Sequence, residues 1–146
     1  MEENEKMLEL KDFEEAKKRV DEVIIPTPLI YSLAFSKECR NMVYIKPENL
    51  QRTGAFKIRG AYNKIMKMDD ESKSRGLIAS SAGNHAQGVA YAAQQLGVKA
   101  TIVMPAHTPL IKVDATKALG ADVVLHGEVY DLSLIHISEP TRHSLI

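Results

Sequence analysis

The chain has 146 residues, 45% of them hydrophobic, with 19 basic and 19 acidic side chains. That is the size of one ordinary domain, with enough apolar material for a core. The balanced charge excludes electrostatic capture of nucleic acid or an anionic membrane, and no apolar run reaches the length of a membrane span.

The amino terminus, Met1-Glu2-Glu3-Asn4-Glu5-Lys6, is acidic and has no apolar signal core. Leu10, Phe13, Ala16, Val20 and Val23 or Ile24 recur at three- and four-residue steps and predict an amphipathic helix over 10–24. Pro26 and Pro28 end it. Residues 27–31 read as extended and 32–39 as a short helix. Cys39, the sole cysteine, has no partner for an internal disulfide and no neighbouring base, so a reducing, cytoplasmic setting and a small, partly buried, inert side chain are expected. Met42-Val43-Tyr44-Ile45-Lys46 alternates as a strand does, and a glycine turn at Gly54 leads into a helix over 55–68.

The pattern then becomes regular. Strands are predicted at 76–80, 100–104 and 121–125, with helices at 84–96 and 109–119 between them. Gly97 and Gly120 stand where a left-handed helix end is expected. This alternation predicts an α/β fold, a three-layer parallel-sheet domain covered on both faces with right-handed crossovers. His85, His107 and His126 are scattered, without a thiol or carboxylate at ligand spacing, so no metal site is expected.

Two loops carry chemistry. In Thr53-Gly54-Ala55-Phe56-Lys57-Ile58-Arg59-Gly60, one lysine falls in the first turn of a helix. A free lysine, with a pKa of about 10.4, is a poor nucleophile at neutral pH. The positive end of a helix and burial both disfavour its ammonium form and suit a Schiff base with an aldehyde cofactor. Phe56 beside it is placed to pack on a flat ring. Taken alone, Lys57 reads as an exposed helical lysine, and this loop by itself does not overturn that reading.

The second loop, Ser80-Ser81-Ala82-Gly83-Asn84-His85-Ala86-Gln87-Gly88, has small residues that let backbone approach a ligand, and it opens a helix whose first amides attract an anion. Asn84 fits a helix N-cap, so the loop also reads as an ordinary strand–helix turn. A Rossmann-type nucleotide site is disfavoured, because the G-x-G-x-x-G spacing is missing.

Both loops resemble the serine/threonine dehydratase family of fold type II pyridoxal phosphate (PLP) enzymes. The first resembles its cofactor-lysine motif, and residues 81–88 its substrate loop. Thr27-Pro28-Leu29 and Lys46-Pro47-Glu48-Asn49-Leu50-Gln51 resemble upstream segments of the same family, in the same order. The resemblance covers about residues 8–131. It implies PLP held on Lys57, which also moves the Cα proton of the substrate. It implies Phe56 and Asn84 beside the cofactor, with Asn84 bonded to the ring hydroxyl. Ser81, Ala82, Gly83, Asn84 and His85 would hold the substrate carboxylate, largely through amides. The implied reaction is β-elimination of L-threonine, or of L-serine, to a keto acid and ammonia. Serine racemisation and a non-catalytic α/β fragment are the alternatives. Some members respond to AMP, and Arg52, Thr53 and Gln87 match positions linked to that effector. A homo-oligomeric parent is also implied.

The family carries a later glycine-rich loop for the cofactor phosphate and a serine or cysteine for its pyridine nitrogen, and neither match is found in this sequence. We therefore expect three parts: 1–40 as the start of the larger domain, 41–131 as the small domain, and 132–146 as a non-native tail. Leu132-Ser133-Leu134-Ile135-His136-Ile137-Ser138-Glu139-Pro140-Thr141-Arg142-His143 looks like translated sequencing adaptor. The chain is thus expected to be an inactive fragment whose tail adds no stable element.

Overall fold

The computed structural model describes residues 7–127, together with the backbone of Ser144 and Leu145. The first helix, α1 (Leu10–Val20), stops short of the predicted 24. Lys17, Lys18 and Arg19 fill its last turn, where the negative end of a helix favours cations. Val20, Val23 and Ile24 enter the core, but Leu10 and Phe13 stay exposed. The predicted stripe is therefore buried only at its end, where α1 meets α3 (Lys57–Met66).

Ile30–Tyr31 (β1) and Tyr44–Ile45 (β2) pair antiparallel, with Ile30 opposite Ile45 and Tyr31 opposite Tyr44. The two tyrosine rings meet edge-on at 5.5 Å. This pairing joins residues from both sides of position 40. Between the strands lies α2 (Leu33–Cys39), where the Ser32 hydroxyl accepts from the Phe35 amide and Arg40 ends the helix at φ 51°. Cys39, in its last turn, is exposed, which corrects the expected partial burial. A 3₁₀ turn follows at Glu48–Leu50. After α3 comes α4 (Asp70–Arg75), absent from the predicted elements. Its sequence is wholly polar, so hydrophobic periodicity is silent there. The legible signal was local: Asp69 accepts from the Ser72 amide at 2.6 Å as an N-cap.

The sheet is built from β3 (Leu77–Ser80), β4 (Ala100–Met104) and β5 (Asp122–Leu125). The helices α5 (Asn84–Gln95) and α6 (Leu110–Ala118) connect them. All its pairings are parallel, in the order β5-β4-β3-β6, where β6 is Ser144–Leu145. Gly97 and Gly120 end their helices at φ 65° and 83°, as the sequence predicts. Among the described residues β5 is less covered than expected: Val124 and Leu125 are exposed. The expectation that the tail adds no element is corrected at its end, where Ser144 pairs with Leu77 and Leu145 with Ile78. The edge of β3 presents unpaired backbone groups, and an extended segment satisfies them whatever its side chains. The adaptor-like run 132–143 lies outside the described residues. No described helix is long and apolar enough to cross a membrane.

The core joins α3, α5 and the sheet. Ile58, Ile65, Leu77, Val89, Ile102 and Met104 are fully buried. Small residues along α5, Ala86, Val89, Ala90, Ala92 and Ala93, let α3 and the strands close on it. The tightest approach is at Gly88, where an added Cβ would stand 3.0 Å from the Lys57 carbonyl carbon and 3.2 Å from the Lys57 Cβ.

The chain before α3 is tied down by polar contacts. Arg59 donates through Nε and Nη2 to the two carboxylate oxygens of Glu48, at 2.9 and 2.8 Å. The Thr27 hydroxyl donates to Glu48 at 2.6 Å, and Lys46 Nζ donates to the Thr27 carbonyl at 2.6 Å. Gln51 brackets Ile25, accepting from its amide at 2.8 Å and donating to its carbonyl at 2.9 Å. The hydrogen bonds from Arg59 hold the Glu48 carboxyl down to about 2, against the opposing effect of burial and with further help from Thr27 and Lys46.

Three outcomes follow from this packing. Ile102→Ala should lower the unfolding free energy by about 3 kcal/mol, measured by urea denaturation. Gly88→Ala should cost about 1–3 kcal/mol on the same measure, because the new methyl meets backbone that has little room to yield. Because the folded Glu48 pKa is depressed, its stabilisation is present above the ordinary value of 4.5 and is lost as the pH falls toward about 2. Urea midpoints taken across that window should fall more steeply for the native chain than for Glu48→Gln.

Candidate active site

The site lies where α3 and α5 begin. Gly54, at φ 68°, turns the chain, and its amide donates to the Gln51 carbonyl at 2.7 Å. That places Lys57 as the first residue of α3. Ile58 on the next position is wholly buried and anchors the turn in the core. Because Gly88 packs on the Lys57 backbone, Asn84, one turn earlier on the same side of α5, is brought to the lysine's side of that helix. A cleft of about 270 Å³ opens there, lined by Phe56, Lys57, Arg59, Gly60, Ala61 and His85. The lysine and the second loop, about thirty positions apart in the chain, thus share one cavity.

Lys57 is exposed, which corrects the expected burial. The described residues wall the cleft on the α3 and α5 sides, so the side chain still faces open space. Its Nζ stands 5.3 Å from the centre of the Phe56 ring, a cation–π distance. Phe56 is 58% exposed, so one face remains open to a flat ligand.

Asn84 is not the N-cap. Gly83 takes that position, no side chain caps the helix, and Asn84 is the exposed first residue of α5. The amides of Asn84, His85 and Ala86 have no intrahelical acceptor by the geometry of a helix start. A Cβ on Gly83 would meet nothing within 4 Å, so there is room in front of these amides. Ser81 is a different case. It is buried, its amide donates to the Val103 carbonyl at 3.1 Å, and its hydroxyl accepts from the Gly83 amide at 3.3 Å. Its amide is thus engaged with β4, while its hydroxyl, an acceptor here, keeps its own proton to donate. Ala82 and His85 are half-buried.

The three residues matched to an effector are not assembled by any hydrogen bond. Arg52 Nε donates to the Val23 carbonyl at 2.9 Å, the Thr53 hydroxyl lies 3.5 Å from the Ala55 carbonyl, and half-buried Gln87 sits on α5. Arg52 thereby acts as an anchor for the segment before α3. No cluster of three or more metal-ligating side chains occurs among the described residues. Sequence reasoning missed Glu48, Arg59 and Gly88 as supports of the site. Glu48 and Arg59 were quoted only within motifs, and their pairing had no local signal. A small residue at Gly88 was legible, but not what it faces.

These residues fit PLP on structural grounds. An accessible amine stands beside an aromatic face, and an uncapped helix start with free space before it offers donors for an anion.

Comparison with known proteins agrees. The pyridoxal-phosphate dependent enzyme family matches residues 20–142, past the point where the resemblance was expected to stop. The L-threonine ammonia-lyase of Thermotoga maritima is 51% identical over 125 residues, covering 86% of this chain and 31% of that protein. The processed form of threonine deaminase isoform 2 from Solanum lycopersicum superposes with a TM-score of 0.82 at 39% identity, covering 95% of this chain and 40% of the other. Serine racemase from Dictyostelium discoideum superposes with a TM-score of 0.86 at 34% identity, covering 95% and 46%. The chain spans less than half the length of each of these relatives. By its fold, its lysine and amide loops and this match over most of its length, the chain belongs to the pyridoxal-phosphate dependent enzyme family.

Proposed function

We propose that this chain is the lysine-bearing part of a PLP-dependent L-threonine dehydratase, which converts L-threonine to 2-oxobutanoate and ammonia by β-elimination. The observation that carries this reading is the shared cleft of Lys57 and His85 at the starts of two helices locked together at Gly88. The threonine lyases among its relatives supply the substrate class.

PLP, when bound, supplies an aldehyde for the amine and a ring that takes up negative charge from Cα. Lys57 provides the amine that carries it and then the base that moves the Cα proton. The Asn84 side chain, exposed at the head of α5, would hold the ring through its hydroxyl. The free amides of Asn84, His85 and Ala86 hold the substrate carboxylate with the helix dipole behind them. Phe56, exposed beside Lys57, would pack against the ring. His85 lines the cleft beside Lys57.

In this reading residues 1–40 open a larger domain, 41–131 form a small one, and 132–146 are a non-native tail, although the family match runs on to 142. The activity belongs to the longer protein: the cleft around Lys57 is open to water, and elimination needs an enclosed site. With PLP and L-threonine, the full-length protein carrying this segment should release 2-oxobutanoate. Lys57→Ala should lower that rate by at least about 1,000-fold. Keto acid or D-serine formed from serine alone would move the assignment to a serine enzyme. No product from either amino acid would overturn it.

A further inference from the structure

We propose that Glu48 is a positioning residue for Lys57. By gripping Arg59 with both carboxylate oxygens while Thr27 holds it from another side, Glu48 fixes the first turn of α3 and hence the direction of the Lys57 amine. The inference rests on the reading of Lys57 as the cofactor lysine.

The start of α3 has little support of its own. Phe56 occupies the N-cap with no side-chain hydrogen bond, and the first turn holds no acidic residue. One hold is steric: Gly88 lies against the Lys57 backbone. The other is the fork from Arg59 to Glu48, which is bidentate and therefore sets an angle as well as a distance. Both side chains are largely shielded, with 28% and 16% of their surface exposed. Glu48 is itself anchored. Pro47 precedes its 3₁₀ turn, the Leu50 amide closes that turn on the Pro47 carbonyl, and Lys46 and Thr27 tie it to the extended segment after α1.

The geometry gives the contact leverage. Arg59 and Lys57 leave the helix about 160° apart, so holding Arg59 sets the rotation of the turn about its axis. A lysine nitrogen at full reach stands roughly 8 Å from that axis, and a 20° rotation moves it roughly 3 Å. Displacements of about 1 Å already cost reacting groups their alignment. A contact two residues from the lysine, and outside any bond to substrate, thus sets where the amine points.

The test uses the full-length protein with Glu48→Gln, Glu48→Asp and Arg59→Lys. The first readout is amide hydrogen exchange without cofactor, comparing residues 55–60 with β4. The second is borohydride trapping of PLP, mapped to Lys57 against the exposed Lys64 and Lys67. Glu48→Gln should speed exchange at 55–60 by about tenfold or more with little change in β4, and lower trapping at Lys57 by about tenfold relative to the other lysines. Glu48→Asp, which keeps the charge, should recover part of both, and Arg59→Lys, which loses the fork, should not. Equal acceleration in β4, or unchanged selectivity for Lys57, would overturn the proposal. If native Lys57 traps no more PLP than Lys64, the cofactor-lysine reading fails instead, and local exchange still decides whether Glu48 holds the turn.

Discussion

The close contact between α3 and α5 at Gly88 is the constraint on which the site depends. Two segments that are separate in the chain become one cleft because a residue without a side chain lets backbone meet backbone. The lysine's own main chain fills the space where a Cβ would be, so the contact aligns the reactive residue itself. Ile58 and Ile65 anchor α3 in the core they share with α5, and the alanines of α5 keep the two helices close along their length. The lysine-bearing helix is thereby referenced to the amide-bearing helix more directly than to the sheet.

The polar knot at Glu48 is a second reference. It ties the segment after α1, the stretch that follows β2 and the first turn of α3 into one unit. Its members are partly shielded, so each hydrogen bond counts for more than it would at an open surface, and leaving one partner alone is costly. The cleft itself is open by comparison. Lys57 and Asn84 are exposed and Phe56 presents a bare face, whereas the scaffold behind them is closed. A rigid frame carrying an exposed reactive edge is the arrangement expected of one wall of a larger site.

Much of this was legible in the chain. The strands at β3, β4 and β5, the helices between them and the glycine stops at Gly97 and Gly120 lie within a residue or so of their predicted bounds, since continuous apolar strands and helical periodicity are local signals. The lysine and asparagine loops were legible as motifs. Other features escaped. The polar helix α4 has no hydrophobic stripe, and the pairing of β1 with β2 links short segments whose register is set by distant partners. The burial predicted for Lys57 failed because burial belongs to the assembled surface and not to a residue type. Asn84 lost the capping role because Gly83 adopts the extended backbone that the cap position requires.

The sequence by itself determined the parallel α/β rhythm, the place of one lysine at a helix start and the small residues before the next helix, because those depend on periodicity, backbone freedom and dipole direction over a few neighbours. Only the tertiary structure decided that Lys57 shares a cleft with the head of α5, that the Ser81 amide bonds the Val103 carbonyl, and that Glu48 grips Arg59. These depend on contacts between segments far apart in the chain. No local preference encodes such contacts, and they form only once burial of the common core has brought the segments together.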